Sequence, residues 1–351
     1  MLGGSFAFEM TDILGVSFLS TKIMFLFIVA TYGLNIGKRK WSTNVSSWYL
    51  KNIKWFLLFL IIPQIYHMQA WSFVFVQSIA MMFLAFAFFK RKKVRDAFLS
   101  GYFIGFLVPA LMLIMGIGIE YNWEGRVTVM GFNQNLLAIN LVLSYFLFTR
   151  LFKKPEKLLD VLFSVLIFLA VLKTGSRQGM IAYVILIAFN LYNTLGYLLP
   201  TMVAGIASLF VGDALVWDRV ISSFSEGDTG SRLIIWNVIL DALDTKDYLF
   251  GIGGQEIKNI TREYFGYSLS AHNAFIEEFA RAGIFGLLAA IIFMITVIRA
   301  IQLHMPKSNF LFITVICLIF MVGHPYGTRI LWFLIPLLIY NKSNDRLRVH
   351  Y

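Results

Sequence analysis

The chain is poor in charge and carries almost no cysteine. Only 14% of its 351 residues are charged, while 59% are apolar; soluble domains hold about a quarter of charged residues. A water-soluble globular domain is therefore excluded. Apolar runs of membrane-spanning length recur from end to end, as in an all-α polytopic membrane protein. The one cysteine, Cys317, falls in an apolar run and alone forms no intramolecular disulfide. No His/Cys cluster has ligand spacing and there is no Asp-x-Asp pair, so no metal and no other cofactor is expected. The first residues lack the basic segment of a cleavable signal peptide. Neither a tandem repeat nor a low-complexity tract nor an appended soluble domain is visible, so 1–351 reads as a single transmembrane domain.

Acids are also scarce, 19 against 30 Lys and Arg, for a net charge of +11. Such an excess raises the question of nucleic acid, and the placement of the charges answers it. Apolar runs lie near Ile13–Ile36, Trp55–Met68, Trp71–Phe89, Ala97–Ile119, Phe132–Thr149, Leu158–Leu172, Met180–Tyr192 and Leu195–Leu215. Others lie near Ile284–Ile298, Phe310–Gly323 and Ile330–Tyr340, for about 11 (11–12) transmembrane helices. Basic residues crowd alternate connections: Lys38, Arg39, Lys40, Lys51 and Lys54; Lys90 to Lys93 with Arg95; Arg150, Lys153, Lys154 and Lys157; Arg299 and Lys307; Lys342, Arg346 and Arg348. That asymmetry marks the cytoplasmic side. It is a topology signal and leaves no nucleic-acid partner implied. The C-terminus falls inside, the N-terminus outside, and the one long polar interruption, 216–283, outside as well.

A loop of roughly sixty residues between membrane helices needs a purpose. Within it Ser231–Asp244 predicts a helix, apolar nearly all round and therefore laid against the membrane-embedded body. Gly251-Ile252-Gly253-Gly254 lacks the strand-then-helix context of a nucleotide site and reads as a turn. His272–Arg281 predicts a helix that continues across Gly283 into the next span.

The externally facing arginines are the first candidates for chemistry. Arg177 sits in a tight turn between two spans, Arg219 follows a span, Arg232 opens the loop helix, and Arg329 lies in a later outer connection. A guanidinium group pairs bidentately with phosphate oxygens. At 4 Å and an effective dielectric near 20 each such charge pair is worth about 4 kcal/mol before desolvation. The competing reading is that each one snorkels to the interface or pairs with Asp213, Asp218 or Asp228. His272 either accepts a proton from an attacking hydroxyl or serves as an interfacial or capping residue. Asn273 adjoins it, and Glu277 and Glu278 follow one turn on, placed to orient it or to act as the base themselves. Asn133-Gln134-Asn135 at the mouth of a span either caps the helix or bonds sugar hydroxyls.

Taken in order, these stretches resemble the O-antigen polymerase and O-antigen ligase family of bacterial envelope glycosyltransferases. The resemblance rests on Asn133-Gln134-Asn135-x-x-Ala138, Thr174-Gly175-Ser176-Arg177-Gln178-Gly179, Arg232-x-x-x-Trp236 with Gly251-Ile252-Gly253, and His272-Asn273 followed by Ala282-Gly283-Ile284-Phe285-Gly286. It covers roughly residues 130–330. It implies a metal-independent enzyme of the bacterial inner (cytoplasmic) membrane that takes glycan from undecaprenyl diphosphate on the periplasmic side. The loop would then be a periplasmic lid forming part of the active site. On this resemblance Arg177 and Arg232 hold the diphosphate and His272 activates or positions the acceptor hydroxyl. Arg219, Asn135, Asn273, Glu277 and Arg329 are the further substrate-binding candidates. The implied partners are the undecaprenyl-diphosphate-linked oligosaccharide, membrane lipid, a chain-length regulator and a flippase. Two departures stand out: Arg281 occupies a position where relatives often have an acid, and relatives commonly have about twelve spans. A polymerase is the expected activity and a ligase its alternative. A transporter of lipid-linked sugar fits less well, because the candidate residues lie at the outer edge of the membrane and no internal repeat is present.

Overall fold

A computed structural model describes residues 47–67, 82–121, 127–152, 156–188, 229–305, 309–322 and 330–346. The runs expected at Ile13–Ile36 and Leu195–Leu215, and the residues Arg219 and Arg329, lie outside the described residues. In chain order the elements are α1 (Ser47–Tyr66), α2 (Lys92–Met115), β1 (Ile119–Tyr121), β2 (Val127–Val129), α3 (Gln134–Leu147), α4 (Lys157–Thr174) and α5 (Arg177–Tyr183). They continue with α6 (Thr229–Asp241), α7 (Asp247–Phe250), α8 (Gly254–Phe265), α9 (Ala274–His304), α10 (Asn309–Val322) and α11 (Ile330–Arg346). The described chain is mostly helical, in keeping with an all-α class. Among the described residues two helices, α2 and α9, are long and apolar enough to cross a membrane. The chain divides into two compact units, Met1–Asn44 with Arg91–Ser222, and Val45–Lys90 with Ser223–Tyr351.

In the first unit α3 is the central rod. From Leu137 to Leu147 every residue is buried, because α2, α4 and α5 all pack around it. A helix apolar on every face is what such a position demands. Its few polar groups are satisfied inside the unit, as buried polar groups must be. The Tyr102 hydroxyl donates to Asn140 Oδ1 at 2.7 Å, and Asn140 Nδ2 donates to the Leu136 carbonyl at 2.8 Å. The Tyr145 hydroxyl meets the Asp160 carbonyl at 2.8 Å and also its carboxylate. The β1–β2 hairpin, antiparallel with Ile119 opposite Val129, leads through Met130 and Gly131 into the start of α3.

The second unit centres on α9. Phe293 stacks on Phe56 of α1 at 5.2 Å and lies 5.0 Å from Trp332 of α11 and 6.1 Å from Phe320 of α10. Each such ring contact adds about 0.5–1.5 kcal/mol beyond area burial. The helix is broken once, at Ala282 (φ −136°) and Gly283 (φ 63°). The limb after the break, 284–304, is about 31 Å long at 1.5 Å per residue, matching the hydrocarbon core of a bilayer. The limb before it, 274–281, packs instead on α6 and α8. Glu256, Lys258, Arg262 and Glu263 keep the outer face of α8 polar, and α6, α8 and this limb form a helical cluster. Its core is Ile235, Ile239, Leu243, Ile257, Ala271 and Ala280. The buried stripe of α6 thus faces α8 and the turn at Ala271, while Leu233 and Ile234 remain about half exposed.

Candidate functional site

The sequence signals fall at two helix starts, one in each unit. In the first unit Asn133 caps α3, its side-chain oxygen accepting from the Asn135 and Leu136 amides. Ser176 caps α5 by accepting from the Gly179 amide, and its hydroxyl donates to Asn135 Oδ1 at 2.9 Å. Capping oxygens satisfy amides that have no partner inside a helix. One turn further, a Cβ on Gly179 would stand 2.3 Å from the Ala138 Cβ, so glycine lets α5 close onto α3. The Asn-rich motif and the Gly-Ser-Arg motif are therefore a single object: two helix starts joined by Ser176–Asn135 and by Gly179 against Ala138. Arg177 is the first residue of α5 and half buried. Asn135 is the bridge to Ser176, and Ser176 is the residue the motif reading left without a role. Its place directly before Arg177, with glycine three residues on, is the signal that could have found it.

In the second unit the site is the turn before α9. His272 is exposed and its backbone is left-handed, φ 51°, a conformation uncommon for any residue except glycine. Such strain persists only where the surroundings over-determine it, and here they do. The Ala271 amide donates to the Glu277 carboxylate at 2.7 Å. The Ala271 carbonyl accepts from Trp236 Nε1 at 2.6 Å. Asn273, extended and buried, caps α9 by accepting from the Phe275 and Ile276 amides. Ser270 Oγ lies 3.5 Å from His272 Nδ1. Arg232, half buried, precedes Trp236 by four residues on α6, and residues so spaced share a face about 6 Å apart. The structure thus brings Trp236, Asn273 and Glu277 to the turn that carries His272, with Arg232 one helical turn before Trp236 on α6. Trp236 is the member whose part the motif reading did not assign; its four-residue spacing from Arg232 was the available signal.

Glu278 does not join them. It turns inward, fully buried, and pairs with Arg281 one turn on. Burial pushes its carboxyl up to about 7, further than the adjacent Arg281 guanidinium pulls it down, with a smaller upward push from Glu277. The sequence reading set Glu278 beside His272 as an orienting group or base; its three-residue spacing from Arg281 is the signal that could have shown this pair instead.

The break in α9 leaves the Ala280 and Arg281 carbonyls without helical partners, and a second segment supplies them. The Ile252 and Gly253 amides donate to them at 2.8 and 3.1 Å. A Cβ on Gly251 would meet the Arg281 carbonyl carbon at 2.4 Å, and one on Gly283 would meet Leu249 O at 2.3 Å. Both glycines also have positive φ, so each is required twice over.

Two helices long and apolar enough to cross a membrane, in keeping with a membrane protein, and a helical cluster that presents a strained histidine are what the described residues hold. Residues 162–291 match the family described as O-Antigen ligase. The matched segment holds Arg177, Arg232 and His272, so the family likeness covers three of the residues singled out by the motifs. No curated protein matches the chain.

Proposed function

We propose that the protein is an O-antigen polymerase. It transfers glycan from undecaprenyl diphosphate to the next undecaprenyl-diphosphate-linked repeat unit on the periplasmic face of the inner membrane, without a metal. The observation that carries this reading is His272: exposed, left-handed, and preceded by Ala271, whose amide and carbonyl are both bonded, within the matched segment.

The chemistry requires little of the protein beyond charge and alignment. The acceptor hydroxyl oxygen attacks the anomeric carbon, and the bond from that carbon to the diphosphate oxygen breaks. The hydroxyl proton passes to the neutral His272 imidazole, and undecaprenyl diphosphate departs with the electron pair. Arg177 and Arg232 are assigned to the diphosphate, whose growing charge their guanidinium groups meet with paired N–H donors. Glu277 holds the backbone that presents the imidazole, and Asn273 starts the helix behind it. Arg219 and Arg329 are further candidates for the same anion. The working partners on this reading are the lipid-linked oligosaccharide, a flippase that delivers it and a chain-length regulator.

A ligase that moves finished glycan onto lipid A-core would use the same chemistry, and the family match does not separate the two. A deletion strain separates the two. A single repeat on core supports the polymerase; bare core with accumulated carrier-linked polymer overturns it in favour of the ligase. Glycosidic bond formation by purified protein in detergent would exclude pure transport.

A further inference from the structure

The Phe250–Gly253 strap and the break in α9 hold one another, and the strap is fixed from its other side by the end of α1. Tyr66 stacks on Phe250 with ring centroids 4.1 Å apart and planes 13° from parallel. His67 Nε2 lies 2.7 Å from the Phe250 carbonyl oxygen. A carbonyl only accepts, so Nε2 carries the proton and donates. His67 is itself fixed, its amide donating to the Pro63 carbonyl at 2.9 Å.

The Phe250–Gly251 peptide is thereby clamped at both ends. His67 takes its oxygen, and its N–H donates to the Asp247 carbonyl at 2.6 Å. A peptide is planar, so fixing both ends sets the direction in which the strap leaves. The next two amides, of Ile252 and Gly253, are the ones that close on Ala280 and Arg281.

We propose that His67 is a positioning residue for the His272 turn. Its Nε2–H sets the Phe250 peptide, the strap sets the break at Ala282–Gly283, and the break sets the direction of the limb 274–281, whose first turn presents His272. The limb is short and rigid, so a tilt at its base moves its tip, and displacement of an aligned group by about 1 Å costs on the order of a hundredfold in rate. The effect on activity rests on the reading of His272 as the group that serves the acceptor. Packing alone would not need this histidine, because any ring of similar size would fill the space beside Phe250.

That distinction gives the experiment. His67→Phe keeps the ring and removes the donor, and His67→Gln returns an N–H at similar reach. In the full-length protein, His67→Phe is expected to speed amide hydrogen exchange in the segments 250–254 and 274–281. It should also lower kcat for glycan transfer by roughly ten- to a hundredfold, with KM within about twofold. His67→Gln should restore both. Unchanged exchange in His67→Phe, unchanged kcat despite faster exchange, or failure of Gln to restore either would overturn the proposal. Should the unaltered protein form no glycosidic bond, the reading of the reaction falls, while the exchange data still decide whether His67 holds the strap.

Discussion

The Arg177 turn and the His272 turn are built from the same parts and put to opposite use. Arg177 opens the Ser176-capped α5, which is joined to the Asn133-capped start of α3, and His272 precedes the Asn273-capped α9; Met130, three residues before Asn133, and His272 are the non-glycine residues of positive φ among the described residues. In the first unit the strained residue is buried apolar filler and the caps are sealed by close helix packing, Ser176 on Asn135 and Gly179 on Ala138. In the second unit the strained residue is itself the exposed functional candidate, and its backbone is held by the side chains of Trp236 and Glu277. The first turn is rigid because helices press on it; the second is rigid because its peptide groups are tied. On the proposed reading the difference fits the roles: a mount for an anion-binding guanidinium tolerates burial, whereas a group that must receive a proton from a bulky sugar has to stand clear.

The contrast breaks most sharply at the glycines. Gly251→Ala and Gly283→Ala each force a Cβ into backbone at a positive φ, and each is expected to cost roughly 3 kcal/mol or more. Thermal unfolding of the purified protein measures it; a loss below about 1 kcal/mol would mean the strap and the break are not interlocked. Gly179→Ala is expected to cost about 1–3 kcal/mol by overpacking, through a side chain on the opposing helix instead of backbone. Adding Ala138→Gly should therefore recover most of that loss, whereas no single small residue rescues Gly251→Ala.

A pH dependence belongs to the second unit. Glu278 is held above its ordinary 4.5, at about 7, so the native state binds this proton more tightly than the unfolded chain does. Its contribution is greatest at low pH and is lost as pH rises from 4.5 through about 7. Hydrogen exchange of the limb 274–281 should accordingly speed up across that window, and Glu278→Gln should flatten the response. The smallest effects are at the caps: Asn133→Ala and Asn273→Ala should each cost about 1 kcal/mol. Only Asn273→Ala should change the exposure of His272, read from its ring proton signals.

The parts of this arrangement that local chemistry dictates were legible in the sequence. A cap at Asn133-Gln134-Asn135 was one of the two expected readings and is observed at Asn133, and the helix of the loop was placed at Ser231–Asp244 against an observed Thr229–Asp241; the caps at Ser176 and Asn273 were not read. The passage of the His272 helix across Gly283 into a span is also as expected, now seen as a break. What was not legible depends on residues far apart in the chain. Nothing near Gly251 announces that its amide neighbours close on Ala280 and Arg281, and nothing near His67 announces Phe250. The amphipathic α8 begins at the last residue of the glycine turn, in a stretch that was assigned no element, and the β1–β2 hairpin falls in the connection between the runs Ala97–Ile119 and Phe132–Thr149. Two strands of three residues are too short for alternation to register.

The most direct measurement is glycan transfer by the purified full-length protein and by Arg177→Ala, Arg232→Ala and His272→Ala, given undecaprenyl-diphosphate-linked repeat units in detergent. The account expects polymer from the unaltered protein and a loss in kcat of about 10²–10⁴-fold for His272→Ala. It expects a comparable collapse in kcat/KM for either arginine variant, all three remaining folded. Polymer of native yield and length from a well-folded His272→Ala protein would contradict it.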